Sequence, residues 1–284
     1  MGKLLKGKDV VANLNEKLTA EVDKLKEAGI TPTLAILRVG ERPDDISYEK
    51  GAIKRCETVG VDVKVISLPA DVEETAYFDK LEELNQDKTI NGILMFRPLP
   101  KHIDEKKARN ILAPEKDVDG CTDLSLAGVF TNTKLGFCPC TAEAAMEILK
   151  FYDIPIAGKK VAVIGRSLVI GRPVAMLLMH ENATVTICHT KTKDVPEIIK
   201  GADIVVVASG QMESVGKEYL QANQTVIDVG ISWNEEKNKL CGDVRTEEVV
   251  DLVDAITPVP GGVGGVTTSI LVKHVVEAAI RQNQ

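Results

Sequence analysis

The sequence lacks an excess of positive charge, a signal peptide and a long apolar run. The formal net charge is −7 at pH 7, which argues against nucleic acid or an anionic membrane as the main partner. The N-terminus has no apolar core of the signal-peptide type. The sequence also contains no run of about 18 apolar residues, so we expect no membrane span. We therefore expect a cytoplasmic protein that binds neither nucleic acid nor membrane.

The cysteines lack the spacing of a metal site. Two of them form Cys-x-Cys rather than Cys-x-x-Cys, and no histidine or second cysteine pair stands at a distance typical of zinc ligands. We predict that the chain holds no metal and that its thiols stay reduced. The six cysteines are Cys56, Cys121, Cys138, Cys140, Cys188 and Cys241.

Length and composition predict a globular protein with two domains. Of the 284 residues, 44% are hydrophobic and 27% are charged, and a domain typically holds about 100–200 residues. Helical and strand patterns alternate along the chain, which favours parallel sheets with right-handed crossovers. In the first half the predicted elements are helix 9–28, strand 33–40, helix 45–59, strand 61–68, helix 72–86 and strand 92–100.

The alternation restarts in the second half of the chain. The predicted elements there are helix 141–151, strand 160–164, helix 172–181, strand 183–188, helix 194–200, strand 203–209, strand 224–230, a Gly/Pro-rich loop at 257–265 and helix 267–282. We predict an α/β protein of two α/β domains, the second with a Rossmann-like parallel sheet. The predicted domains are 1–140 plus 267–284 and 141–266, with a junction near 139–150.

The segment VAVIGRSLVIGRP at 161–173 is the most informative stretch. An apolar β-branched run reaches Gly165, Gly171 follows six residues later, and Pro173 is suited to open a helix. A strand that turns sharply into a helix directs free N–H groups and a positive dipole end at one spot, which suits a phosphate. Ser167 stands where the G-x-G-x-x-G fingerprint has its second glycine. Spacing alone therefore leaves open a nucleotide site and an ordinary strand–Gly–helix turn.

The end of strand 183–188 favours NADP over NAD. In dinucleotide-binding folds an acidic residue there binds the ribose 2′-OH of NAD, whereas basic or hydroxyl groups accept the 2′-phosphate of NADP. Here the strand is followed by His189, Thr190 and Lys191, and no acid appears before Asp194. Arg166 is a second candidate for the phosphate. The alternative is that this stretch is only a solvated loop.

Several motifs together resemble the methylenetetrahydrofolate dehydrogenase/methenyltetrahydrofolate cyclohydrolase family, over essentially the whole chain. They are EKDVDG at 115–120, GRSLVIGRP at 165–173, ATVTICHTKT at 183–192, VIDVGI at 226–231 and ITPVPGGVGG at 256–265. The resemblance implies two α/β domains with the active site in a cleft between them, and a homodimer. It implies NAD(P)-linked oxidation of 5,10-methylenetetrahydrofolate, then hydrolysis of the 5,10-methenyl product to 10-formyltetrahydrofolate, a step of one-carbon metabolism that serves purine biosynthesis.

The resemblance also implies roles for individual residues. Asp119 would bind the pterin ring, because a carboxylate can accept from two adjacent N–H donors. The residues implied to hold the cofactor are Gly165, Arg166, Ser167, Thr190 and Ile231. The residues implied to line the cleft near folate and nicotinamide are Pro260, Gly261, Gly262, Val263 and Gly264.

The chain departs from the family at the hydrolytic pair. The family helix carries Tyr-x-x-x-Lys, in which the tyrosine stacks on folate and the lysine performs acid–base chemistry; here Tyr48 matches and Ala52 replaces the lysine. The family strand ends Gln-Leu-Pro-Leu-Pro, and that glutamine hydrogen-bonds the lysine; here Phe96 and Arg97 replace Gln and Leu. Lys54 lies about 240° round the helix from Tyr48, whereas position 52 shares the tyrosine face. By their positions in the family pattern, Tyr48, Ala52 and Phe96 are predicted to contact the substrate.

We hypothesise that the dehydrogenase function survives and that the cyclohydrolase function is weakened, lost or moved. Hydride transfer depends mainly on positioning and on the cofactor, whereas opening the methenyl bridge needs proton transfers that Ala52 and Phe96 cannot supply. Lys54 and Arg97 are the candidates for a moved catalytic role. Two alternatives remain: an enzyme of the same fold with a different substrate, and an inactive paralogue that binds nucleotide.

Overall fold

Two parallel sheets organise the chain in the computed structural model, which describes residues 2–284. One compact unit comprises Asn13–Cys140 with Thr268–Gln284, and we call it the three-stranded unit after its sheet. The other comprises the segment that ends at Ala12 with Thr141–Thr267, and we call it the six-stranded unit. The unit boundaries therefore fall inside the first and the last long helix.

The helices and strands alternate as predicted. In chain order the elements up to Thr131 are β1 (Lys3–Leu4), α1 (Gly7–Glu27), β2 (Thr33–Val39), α2 (Pro43–Val59), β3 (Asp62–Leu68), α3 (Glu74–Gln86), β4 (Gly92–Met95), α4 (Glu105–Ile111), a 3-10 turn at Pro114–Lys116 and α5 (Asp123–Thr131). Those that follow are α6 (Cys140–Phe151), β5 (Lys160–Ile164), α7 (Gly171–His180), β6 (Thr184–Cys188), α8 (Val195–Lys200), β7 (Ile204–Val207), β8 (Thr225–Asp228), β9 (Ser232–Asn234), β10 (Lys239–Cys241), α9 (Thr246–Val249), β11 (Ala255–Ile256) and α10 (Val263–Gln282).

The three-stranded sheet has the order β3-β2-β4, and its strands are parallel. Every residue of the central strand β2 is buried, which the apolar run at 34–37 predicts. Arg38 is buried as well, and its Nε donates to Glu49 Oε2 at 2.9 Å. β4 is shorter than the predicted strand 92–100 because Pro98 and Pro100 have no N–H to donate to a ladder. The sequence predicts no element between 101 and 140, where α4 and α5 lie; the apolar residues of α5 do not follow a helical period.

The six-stranded sheet has the order β1-β11-β8-β7-β5-β6, and all its pairings are parallel. β5 lies between β6 and β7, so the chain runs to one side of β5 and then crosses to the other. The loops after these strands therefore leave a crevice at their carboxyl ends, the usual ligand position in open parallel sheets. The predicted α/β class and Rossmann-like sheet are confirmed.

The N-terminal segment corrects the predicted domain division. The predicted first domain includes residues 1–12, yet β1 pairs with β11 through Lys3 and Ala255. The amide of Gly7 also donates to the carbonyl of Gly261 at 2.8 Å. These backbone hydrogen bonds place the segment with the six-stranded unit, and a strand of only two residues carries no periodicity by which the sequence could reveal it.

The last helix begins four residues before its predicted start at 267. Its first turn contains Val263, Gly264 and Gly265, although glycines usually signal a loop. A glycine costs only about 1 kcal/mol in a helix relative to alanine, and burial of Val263 and Val266 offsets that cost. By length and composition α10 could cross a membrane, but 67% of the relevant window is buried inside the protein, as in a core helix.

Lys116 anchors the segment that carries the predicted pterin ligand. Its buried ammonium group donates to the carbonyl oxygens of Leu84, Asn85 and Asp87 at 3.1, 2.7 and 2.8 Å. These carbonyls stand at the end of α3, where helical hydrogen bonding runs out. The lysine thus replaces the missing N–H donors and fixes the following residues to the three-stranded unit.

Asp117 fixes the same segment from the other side. Its carboxylate is fully buried and accepts from the amides of Cys121 and Thr122 at 3.0 and 2.7 Å, and from Ser125 Oγ at 2.6 Å. Gly120 has φ +66°, and a Cβ there would lie 2.4 Å from the Cys138 carbonyl carbon. Asp119 therefore sits on a turn with little freedom to move.

Replacing Lys116 by methionine tests this anchor. Three carbonyls at the end of α3 would lose the ammonium donor, and among the described residues only that of Asp87 would keep another, the amide of Ile90. We therefore expect the free energy of unfolding of Lys116→Met to fall by about 2 kcal/mol or more. The exposed Lys106 supplies the control, because Lys106→Met should change stability by no more than about 0.5 kcal/mol. Equilibrium urea denaturation measures both, and equal values for the two variants would contradict the anchoring role.

Candidate active site

A cavity of about 360 Å³ lies at the carboxyl ends of β5, β6 and β7. Gly165 and Ser167 line it after β5, Thr190 after β6, and Ser209 after β7. The cavity occupies the crevice that the strand order creates. Four of the predicted cofactor residues, the three at 165–167 and Thr190, thus meet at one place.

Two glycines make the turn after β5 possible. Gly165 has φ +117°, and a Cβ there would lie 2.1 Å from the carbonyl oxygen of Ala208. A Cβ on Gly171 would lie 2.3 Å from the carbonyl oxygen of Gly165. Only glycine fits these positions, because any side chain would displace backbone. The close approach brings the N-terminal end of α7, ten residues long, next to the turn, where its dipole favours an anion.

Ser167, which occupies the position of the second glycine in the fingerprint, stabilises the same turn. Its Oγ accepts from the amide of Ile170 at 3.2 Å, and its carbonyl accepts from the amide of Arg172 at 3.1 Å. The helix begins at Gly171, one residue earlier than predicted, with Pro173 in its first turn. The imperfect fingerprint therefore still forms a strand–turn–helix unit.

The walls of this cavity are free of carboxylates among the residues that the structure describes. Arg166 and Thr190 are exposed at its edge. His189 supports the loop after β6, since its Nδ1 accepts from the amide of Lys191 at 3.1 Å. A 2′-phosphate would thus meet a guanidinium and a hydroxyl group there, and no opposing acid.

Two buried aspartates, Asp228 and Asp243, lie behind the cavity wall at Ser209, and no functional role is predicted for either from the sequence. Asp243 accepts from Ser209 Oγ at 2.9 Å and from the amide of Gly210 at 2.8 Å. Asp228 accepts from the amides of Asp243 and Val244 at 3.1 and 3.0 Å. Burial raises the pKa of Asp228 to about 7, against the lowering effect of its backbone donors. An acid that follows a strand is the only sequence signal of this arrangement.

The other residues predicted to bind the cofactor or to line the cleft lie outside this cavity. Ile231 is 56% exposed, and its Cδ1 would lie 4.0 Å from a Cβ on Gly264, so these two predicted residues are neighbours. Gly262 and Val263 are buried, and their place beside the folate and nicotinamide stays a prediction. A Cβ on Gly262 would lie 2.5 Å from the Pro258 carbonyl oxygen, so this glycine serves loop packing.

The first residues of the same loop are accessible. Pro260 and Gly261 are exposed, and Gly261 has φ +99°, a conformation that favours glycine. The Gly261 carbonyl accepts from the amide of Gly7, so the exposed tip is still tied to the six-stranded unit. Pro260, Gly261 and Gly264 remain available to a ligand.

A second cavity, of about 370 Å³, lies in the three-stranded unit. Its walls include Tyr48 on α2, Phe96 and Arg97 after β4, and Asp119 on the anchored turn. Four residues predicted to act on the substrate therefore meet there, although they are far apart in the sequence. Arg42, Asp44 and Asp45 at the start of α2 add charge to its edge.

Tyr48 and Phe96 form the aromatic side of this cavity. Their ring centroids are 5.9 Å apart, and the rings meet edge to face at 86°. Burial raises the pKa of Tyr48 well above its ordinary value, and the charges of Asp119 and Cys140 raise it further. The phenol stays neutral at physiological pH, so it can stack or donate a hydrogen bond and is a poor base.

Asp119 and Arg97 form the polar side. Arg97 Nη2 lies 3.5 Å from Asp119 Oδ2, and the two side chains are 20% and 25% exposed. Burial raises the pKa of Asp119 above its ordinary value, and the Arg97 charge opposes that shift. The carboxylate thus has a cation beside it and an open side toward the cavity.

Ala52 and Lys54 differ in position as the helical period predicts. Ala52 is fully buried, does not line the cavity and offers no polar atom. Lys54 is exposed and does not belong to the cavity wall, which corrects its candidacy as a catalytic residue. No lysine lines this cavity among the described residues.

Comparison with known proteins now identifies the family. The profile of the tetrahydrofolate dehydrogenase/cyclohydrolase catalytic domain matches residues 5–119, and that of the NAD(P)-binding domain matches residues 139–283. The chain belongs to this family. "Bifunctional protein FolD" of Clostridioides difficile is 50% identical over 282 residues, covering 99% of this chain and 98% of the relative.

Solved structures of the family share its fold. The bifunctional FolD enzyme of Campylobacter jejuni is 36% identical with a TM-score of 0.96, covering 99% of each chain. The methylenetetrahydrofolate dehydrogenase-cyclohydrolase of Trypanosoma brucei, solved with NADP and an inhibitor, is 34% identical with a TM-score of 0.92 and covers 100% of this chain and 99% of its own. The two-domain α/β architecture is thus that of tetrahydrofolate dehydrogenase/cyclohydrolases.

Gly165→Ala tests the close approach at the nucleotide turn. The substitution adds a clash with Ala208 to the cost of a positive φ, so we expect loss of stability and a Kd for NADP raised about tenfold or more. Gly158→Ala is the control, because Gly158 has φ +75° but nothing within 4 Å of its Cβ position. That variant should cost about 1 kcal/mol and leave the Kd unchanged. Calorimetric titration measures the Kd for NADP of both variants. Equal Kd values would refute the proposed need for close backbone approach at Gly165.

Proposed function

We propose that this protein oxidises 5,10-methylenetetrahydrofolate to the 5,10-methenyl form with NADP and hydrolyses the product weakly or not at all. The observation that carries the proposal is the composition of the second cavity. It combines Tyr48 and Asp119 with Phe96, while Ala52 lies buried where the family places its lysine. The binding groups are therefore present, whereas the acid–base pair is replaced.

The first cavity fits the phosphates of a dinucleotide. The glycine turn at Gly165 and Gly171 leaves no room for side chains, so a phosphate can approach the backbone closely at the start of α7. Arg166 and Thr190 would hold the 2′-phosphate, and Ile231 would lie near the nicotinamide. When bound, NADP accepts the hydride that leaves the methylene carbon of the substrate.

The second cavity fits the pterin. Asp119 would accept from two adjacent N–H groups of the ring and set its orientation. Tyr48 would pack against the ring face and exclude water from the reacting carbon. Hydride transfer needs this positioning and no proton donor, so the residues that the chain retains are sufficient for the oxidation.

Hydrolysis has different needs. Water must add to the methenyl carbon, and protons must move as one C–N bond opens, which calls for a group that can donate and accept a proton. Ala52 and Phe96 have no such group, Tyr48 stays neutral, and Arg97 holds its proton at all accessible pH values. The product is therefore expected to leave largely as the methenyl compound.

The product of the purified protein tests this division. With methylenetetrahydrofolate and NADP, we expect NADPH and methenyltetrahydrofolate to accumulate together. The double variant Ala52→Lys, Phe96→Gln restores the family pair and should raise the rate of hydrolysis about tenfold or more above the wild-type rate. Absorbance of the methenyl compound follows both reactions. Each single variant serves as a control, since neither residue alone rebuilds the pair.

A direct hydrolysis assay can contradict the proposed loss of cyclohydrolase activity. The protein is supplied with methenyltetrahydrofolate, and its decay is compared with the decay in buffer. Decay well above the buffer rate, abolished by an inhibitor that occupies the second cavity, would disprove the proposed loss of hydrolysis. Absence of NADP-dependent oxidation would disprove the dehydrogenase assignment itself.

Cofactor choice is tested at Arg166. Arg166→Ala should raise the KM for NADP by about tenfold, because a guanidinium–phosphate contact is lost, and should change the KM for NAD by less than about twofold. Arg172→Ala is the matched control, because Arg172 is exposed on α7 and does not line the cavity. An equal loss for both cofactors would show that Arg166 does not read the 2′-phosphate.

We further propose that the protein works in the cytoplasm as a homodimer, with tetrahydrofolate derivatives as its small-molecule partners. The net charge of −7 supports an enzyme of soluble metabolites rather than a nucleic-acid-binding protein.

A further inference from the structure

The surroundings of Asp119 disfavour the ionised form of its carboxyl group. Burial raises its pKa, and the neighbouring carboxylate of Asp117 raises it further. A protonated carboxyl group would present one acceptor oxygen and one O–H donor, so it could no longer accept from two N–H groups at once. Folate binding as proposed above therefore requires that some group keep Asp119 ionised.

The charged and titratable groups around Asp119 are few. On its own turn and the facing elements they are Asp117, Cys121, Cys140, Tyr48 and Arg97. At the edge of the cavity Arg42, Asp44 and Asp45 complete the set. Arg42 is engaged elsewhere, because its Nε lies 3.8 Å from Asp45 and its Nη1 donates to the Pro98 carbonyl at 3.3 Å.

Arg97 is thus the cation that acts on Asp119. Its Nη2 lies 3.5 Å from Oδ2, longer than the roughly 2.8 Å of a tight charge-assisted hydrogen bond, so the contact is mainly electrostatic. Only 20% of the Arg97 side chain is exposed, which weakens solvent screening of the attraction. An opposite charge at this range lowers the pKa of a carboxyl group by about 1–3 units.

Resting on the function proposed above, we propose that Arg97 is a positioning residue that keeps Asp119 ionised and oriented for the pterin of the folate substrate. The residue replaces the leucine of the Gln-Leu-Pro-Leu-Pro pattern, next to the replaced glutamine. Relative to the family pattern, a positive charge is missing at position 52 and another is present at position 97, on the cavity wall. The guanidinium supplies charge without proton transfer, so it supports binding and not hydrolysis.

Arg97→Met removes the charge but keeps a long side chain. We expect the KM for methylenetetrahydrofolate at pH 7 to rise about tenfold, with kcat and the KM for NADP changed by less than about threefold. The pH below which folate affinity falls should move upward by about one unit. Arg97→Lys keeps the cation and should restore most of the wild-type pH profile.

Arg109→Met controls for the loss of an ion pair in the same unit, because Arg109 pairs with Asp123 at 2.6 Å and does not line the cavity. This variant should leave both KM values and the pH profile unchanged. Asp119→Asn provides a double-mutant cycle. If Arg97 acts through Asp119, Arg97→Met should weaken binding of tetrahydrofolate by less than about twofold in that background, as measured by calorimetry.

Three results would overturn the proposal. The first is a pH profile of Arg97→Met that superimposes on that of the wild type. The second is an undiminished effect of Arg97→Met in the Asp119→Asn background. If Arg97→Met fails to fold, Arg97→Gln and Arg97→Lys are compared instead. The third overturning result is then an identical pH profile of folate affinity for these two variants. An inactive wild-type protein would instead refute the dehydrogenase assignment, so the two failures are distinguishable.

Discussion

Close backbone packing at the carboxyl ends of parallel strands is the constraint on which the rest of this protein depends. Gly165 lies against Ala208, and Gly171 lies against Gly165, at distances that exclude any Cβ. The turn, the start of α7 and the end of β7 therefore occupy fixed positions. The cavity that forms there inherits its shape from the backbone, which explains how Ser167 can replace a glycine of the fingerprint without loss of the turn.

Buried polar groups hold the second site in the same way. Lys116 and Asp117 are both buried and both fully engaged with neighbouring backbone, so the next residues have little freedom. Asp119 is thereby presented to a cavity that Tyr48 also lines. Burial makes this carboxylate costly to ionise, and the charge of Arg97 offsets the cost. Binding and ionisation are thus coupled through one ion pair.

In the function proposed above, Ala52 and Phe96 at the positions of the family pair separate two tasks that one lysine can combine. A lysine is both a cation and a group that can exchange a proton, whereas an arginine is a permanent cation. Arg97 lies near Asp119 and Ala52 is buried, so on this proposal the cavity has positive charge and no group for proton exchange. Its chemistry is accordingly suited to hydride transfer, which depends on placement.

The sequence by itself determined the strand–helix alternation, the strand–glycine–helix turn after β5 and the face of α2, because periodicity and glycine spacing are local properties. Lys54 was excluded from the Tyr48 face by helical geometry alone. The tertiary structure decided that β1 joins β11, that α10 starts at Val263, and that Arg97 meets Asp119. These depend on backbone pairing, on burial and on approach between segments distant in sequence, and none of these leaves a local pattern.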